Sequence, residues 1–149
     1  MISRKLSLFV MIALVCMIFV GLTQSAPLSK RDNAFAKFKK GGKNKVVGLV
    51  TFTDIGDKFR VTGKFNDGFK SKNVDDYELI LEDANGGLEL ILTDIFREQA
   101  KGKMKPPGTP RFEVDIDNDQ LTVRELIEKA FFNIRFKGRL IGSTKIKQA

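Results

Sequence analysis

At 149 residues the chain is long enough for one domain of ordinary size and too short for two. It has no histidine, and its one cysteine is Cys16, near the N-terminus. Beyond that cysteine, catalytic sites of the Ser-His-Asp or Cys-His kind, and zinc or copper centres built on imidazole or thiolate, are excluded. The formal charge of +8 is unevenly placed: residues 1–31 carry four basic groups and no acid, residues 32–45 carry five lysines and one aspartate, and the remainder is nearly neutral.

The chain opens with Arg4 and Lys5, then an apolar run from Leu6 to Leu22, then "TQSAP". A basic start, an apolar stretch and small residues before Ala26 predict a secretory signal peptide over 1–25, with a signal anchor as the rival reading. No later segment is apolar enough to cross a bilayer, so the mature chain is expected outside the cell. The dibasic pair Lys30-Arg31 resembles a processing junction that closes a short propeptide, 26–31; two exposed basic residues would look the same. Cleavage there leaves 118 residues, enough for a stable core without staples. With Cys16 removed no disulfide can form, so packing has to supply the stability.

Residues 32–45 read as a basic flexible tail, with Lys37, Lys39, Lys40, Lys43 and Lys45 available to an anionic surface. A single domain is expected over 46–149, dominated by a period of two. "VVGLVTFT" is a largely apolar strand. "KFRVTGKF" turns Phe59, Val61, Gly63 and Phe65 to one face. "YELILED" does so with Tyr77, Leu79 and Leu81, and "LELILT" with Leu88, Leu90 and Leu92. "DANGG" between these last two suits a hairpin turn. "RFEVDID" directs Phe112, Val114 and Ile116 inward, and "FFNIRFK" directs Phe132, Ile134 and Phe136. Gly138 turns the chain into "RLIGSTKI", where Leu140, Gly142, Thr144 and Ile146 share a face.

Two stretches interrupt the strands. Glu98 to Pro110 reads as a surface loop rich in lysine, glycine and proline, and it adds Lys101, Lys103 and Lys105 to the candidate contact residues. "LTVRELIEKAF" has capping-box spacing at Thr122 and Glu125, which predicts one short helix near 123–130. The whole pattern predicts an all-β fold: an antiparallel Greek-key β-sandwich or flattened barrel of about seven or eight strands.

"DIDNDQLTVREL" invites a metal reading, because Asp115, Asp117 and Asp119 have the alternate spacing of an EF-hand loop and Glu125 follows. The loop's glycine position holds Gln120, the acid comes one residue early, and the incoming segment alternates as a strand. A strand edge, an acidic turn and a helix cap account for the same residues, with calcium as the weaker alternative. Paired carboxylates fall at strand ends, and no nucleophile elbow, Walker loop or dinucleotide fingerprint is present, so no catalytic residue and no cofactor are expected. No base-reading or stacking surface is evident, so nucleic acid is set aside. The partner expected is an extracellular protein or an anionic surface.

"VVGLVTFTDIGDKFRVTGKFNDGF", "YELILEDANGG", "IEKAFFNIRF" and "GRLIGSTKI" together resemble the Cu/Zn superoxide dismutase β-sandwich. That resemblance implies the fold and not the activity. Glu78 and Ile80 stand where the family's paired histidines would be, and its bridging disulfide has no counterpart. The export signals and the missing catalytic residues lead to the expectation of a secreted, non-catalytic, effector-like binding module. The signal peptide, the Phe-rich strands and "PPGTPRFEV" also resemble secreted lipid-recognition sandwiches of the ML type, which implies a carrier with a cavity between its sheets. The cysteines usual in that family are missing. A dismutase-class metalloprotein is disfavoured by the absence of histidine.

Overall fold

A computed structural model describes residues 31–149 apart from residue 88. The expected signal peptide, 1–25, and all of the expected propeptide up to Lys30 lie outside the described residues; Arg31 is the first of them.

Among the described residues, nine strands form two antiparallel sheets. The larger is ordered β6-β3-β2-β1-β9, from Phe112–Asp117, Lys58–Asp67, Val47–Asp54, Asn33–Phe38 and Lys147–Gln148. The smaller is ordered β5-β4-β7-β8, from Glu89–Ile91, Tyr77–Asp83, Ala130–Phe136 and Arg139–Lys145. The path is a Greek key: β4, β5 and β6 run in succession across the two sheets, and β7 then returns beside β4. The sandwich is open, not a closed barrel.

Alternation builds the core as expected in most strands. Phe59, Val61 and Phe65 of β3, and Tyr77, Leu79 and Leu81 of β4, are fully buried. Rings from both sheets meet between them: Phe132 of β7 lies 5.7 Å from Phe38, 6.4 Å from Phe52 and 6.5 Å from Phe65. Such edge and tilted pairs add to the burial of large apolar area. An apolar-ligand carrier would need a continuous cavity in this layer, where these rings stand in contact. Gly63 shows how close the packing is, because a Cβ there would come within 2.3 Å of the Phe112 ring.

Four expectations need correction. Part of the expected basic flexible tail, Asn33–Phe38, is a strand: β1 pairs with β2 from Asn33↔Thr53 to Phe38↔Gly48 and buries Ala34, Ala36 and Phe38. A second helix, α1 (Thr93–Ala100), replaces the start of the expected loop and buries Phe96 and Ala100, one turn apart, beside Leu92. The rest of that loop is pinned and not free. Met104 is buried, Phe69 N–H donates to Pro107 O at 3.0 Å, and Thr109 N–H donates to Phe65 O at 2.9 Å. In β8, a register shift at Ile134/Arg135 turns Ile141 inward and leaves Leu140 exposed.

The expected helix is present as α2 (Val123–Lys129), with a complete capping box between Thr122 and Glu125. Among the described residues no helix is long and apolar enough to cross a membrane.

Candidate functional site

The four acids of the calcium reading do not converge. Asp115 faces Arg60 across the β3–β6 ladder and accepts two hydrogen bonds from its guanidinium, at 2.7 and 2.9 Å. This bidentate pairing holds the Asp115 carboxyl below the usual carboxylate range and raises Arg60 further. Asp117 stands opposite Lys58, 3.4 Å from its ammonium. Glu125 is spent on the helix start: it accepts from the Thr122 backbone N–H at 2.9 Å and from the Thr122 hydroxyl, which lower its pKa in that order. Asp119 lies exposed in the turn before α2. Among the described residues no three acids or other ligands are grouped as a metal would need. The metal reading is therefore replaced by a cross-strand ion ladder and a helix cap.

The predicted lysines are gathered instead by the topology. Phe38, Gly48 and Phe65 stand side by side at one end of the larger sheet. The β1–β2 hairpin leaves from that end, carrying Lys39, Lys40, Lys43 and Lys45. Its Lys45 N–H donates to Ile141 O at 2.8 Å, which ties it to the start of β8. The loop after β3, with Lys70 and Lys72, meets the Pro106-Pro107 segment through Phe69 N–H. That segment belongs to the α1–β6 loop, which exposes Lys101, Lys103 and Lys105. The β7–β8 turn brings Lys137 and Arg139 to the same end, held by Lys137 N–H donating to Asp76 O at 2.7 Å. Lys137 has a positive φ of 50° in this turn, and its ammonium lies 5.5 Å from the Phe136 ring centroid.

Four connections thus form one basic pole. The charge there is offset in part by Asp67, Asp75 and Asp76; Asp67 is paired with Lys40 at 3.2 Å and held below its ordinary pKa by that hydrogen bond first and the Gly68 N–H second. At the pole, Lys45, Lys70 and Arg139 line a groove together with Phe136, Leu140 and Ile141.

The opposite end is acidic. Asp54 and Asp57 flank the β2–β3 turn, and Asn118 N–H donates to Asp57 O at 2.9 Å, bringing Asp117 and Asp119 alongside. Asp32 and Glu125 also belong to this end, with Arg124 3.7 Å from Asp32.

The sequence reading found the hairpin and loop lysines. It missed Lys70, Lys72, Lys137 and Arg139, which are scattered singly along the chain and meet only through folding. It also missed Lys145 and Lys147, which flank the buried Ile146 near the C-terminus. Their alternation about an inward isoleucine was the available signal.

Tyr77, the single tyrosine, is a structural counterpart of the pole. Its buried hydroxyl accepts from Lys70 N–H and Ser71 N–H, both at 2.8 Å, and burial pushes its pKa up. The free edge of the larger sheet is also closed from α1: Gln99 donates to Glu113 O at 2.6 Å and accepts from Glu113 N–H at 2.8 Å. No protein-family model, no curated protein and no solved structure matches this chain.

Proposed function

We propose that the chain is a small secreted, non-catalytic β-sandwich that works as an extracellular interaction or effector-like module. It engages an anionic partner through its basic pole. The observation that carries this reading is the convergence of lysines from four separate connections on one end, with the acids of β6 and the β2–β3 turn at the other. A field of one sign over a concentrated surface attracts an oppositely charged partner and orients its approach. The resemblance to the superoxide dismutase sandwich belongs to the same proposal, as a fold of that kind used without copper or zinc.

The test uses the mature chain, residues 32–149, on a sulfated polysaccharide matrix and with anionic phospholipid vesicles. Retention on at least one of them near physiological salt is expected, falling as salt rises. Charge reversal at Lys101, Lys103 and Lys105 should shift elution to clearly lower salt, while Lys129→Glu, away from the pole, should change it little. Equal effects of the two variants, or no retention of the parent chain on either surface, would refute the reading. So would turnover in hydrolase or dismutase assays.

A further inference from the structure

We infer that a second feature, a lateral groove across the open seam of the sandwich, binds a segment of a linear acidic polysaccharide. This deepens the proposed function by naming a partner class, and it depends on that reading only for the sign of the partner's charge. The groove lies where β1 and β9 of the larger sheet approach β8, the outer strand of the smaller one. Its volume is about 450 Å³, and its lining includes Lys37, Lys39, Lys145 and Lys147 around Phe35.

Its walls are fixed by hydrogen bonds between the two sheets. Asn44 donates to Ser143 O at 3.0 Å and accepts from Ser143 N–H at 2.7 Å. The Thr144 hydroxyl donates to Lys37 O at 3.2 Å. A ligand entering this groove meets a surface already in place, so less ordering has to accompany binding.

The groups in the groove define the ligand. All four lysines are exposed, and among the described residues none of them makes an ion pair. This differs from the basic pole, where Lys40 is matched to Asp67. Lys145 ends β8 and Lys147 opens β9, on either side of the inward Ile146, whose N–H donates to Ala130 O at 3.1 Å, so both stand where the chain crosses from one sheet to the other. Residues two apart in an extended chain are at most roughly 7 Å apart, so Lys145 and Lys147 stay close, as do Lys37 and Lys39. Four ammonium groups spread over one groove match an extended polymer bearing one charge per repeat better than a single compact anion.

Phe35 adds the second half of the recognition. It faces outward from β1, directly opposite Lys147, and is half-buried. One apolar ring among lysines suits the C–H face of a sugar ring, with carboxylates or sulfates reaching the ammonium groups on either side. It is not the succession of aromatic platforms that single-stranded nucleic acid uses.

The experiment follows backbone amide shifts of the mature chain by NMR during titration with a hexameric oligogalacturonate. Parallel arms use its fully methyl-esterified form, a sulfated hexasaccharide and inorganic sulfate. Shifts confined to Phe35, Lys37 and residues 143–147 are expected with either charged hexamer. Affinity should fall at least tenfold in Lys145→Gln/Lys147→Gln and less than threefold in Lys101→Gln/Lys103→Gln/Lys105→Gln. These are exposed lysines, and an unchanged unfolding midpoint checks that each variant is folded.

Equal weakening by both sets of substitutions would mean a diffuse charge effect and would overturn the groove. So would equal binding of the esterified hexamer, or the same shifts from sulfate at matched ionic strength. Loss of retention by the loop variant on a polymeric matrix bears on the pole alone, and the amide shifts bear on the groove alone.

Discussion

The Tyr77 hydroxyl is the point where core and basic pole meet. The ring packs 4.6 Å from Phe69 and 5.1 Å from Phe136, while the oxygen gathers two backbone donors of the loop that carries Lys70 and Lys72. A buried donor without a partner costs more than the bond itself is worth. Tyr77→Phe retains the ring contacts and removes both acceptor interactions. The expected loss is about 1–3 kcal/mol, read by denaturant unfolding. Hydrogen exchange at Lys70 and Ser71 should accelerate in the same variant, and unchanged protection there would contradict the assignment. The Arg60–Asp115 pair, though geometrically strong, is exposed to water on both sides and adds little to stability by comparison.

At the scale of elements, β1 decides how much of the N-terminal segment belongs to the fold. Phe38 is buried against Phe65 and Phe132, with ring centroids at 5.6 and 5.7 Å. Phe38→Ala should cost about 3–5 kcal/mol, the usual range for truncating a buried phenylalanine. Lys43→Ala, in the adjoining hairpin, should stay within about 0.5 kcal/mol in the same denaturant experiment. A flexible segment would show no difference between the two. The strand was hard to read because its inward positions include Ala34 and Ala36, which carry little strand preference, while lysines dominate the hairpin from Lys39 to Lys45. Strands whose inward positions are phenylalanine or leucine, such as β3, β4 and β7, were legible from alternation alone. In β8 the alternation was visible but its face was not, because one bulge exchanges Leu140 for Ile141. Helix α1 was hidden behind the apolar run of β5, although Phe96 and Ala100 have helical spacing. The capping box of α2, by contrast, is a local device and was read correctly from four residues. Candidate contact lysines that are neighbours in sequence were found. Those brought together by crossovers between the sheets were not, since their proximity is a property of the topology.

At the scale of the whole molecule, the ionisable groups divide into those that respond to acid and those that do not respond near neutrality. With no histidine anywhere and no cysteine after residue 16, the side chains have no group whose ordinary pKa lies between the carboxylates and the lysines except Tyr77, and that one is pushed up. Stability should therefore be flat from about pH 5.5 to 8.5. In acid, the relevant groups are Asp67, Asp115 and Glu125, all with folded pKa values below their ordinary ones. Such groups bind protons more readily in the unfolded chain. Their contribution is complete above the ordinary carboxylate range and is lost as the pH falls through the lowered folded values. Denaturant midpoints measured from pH 2 to 9 should accordingly hold level and then decline below about pH 4. A decline between pH 6 and 7 would require a titrating group that this arrangement does not contain.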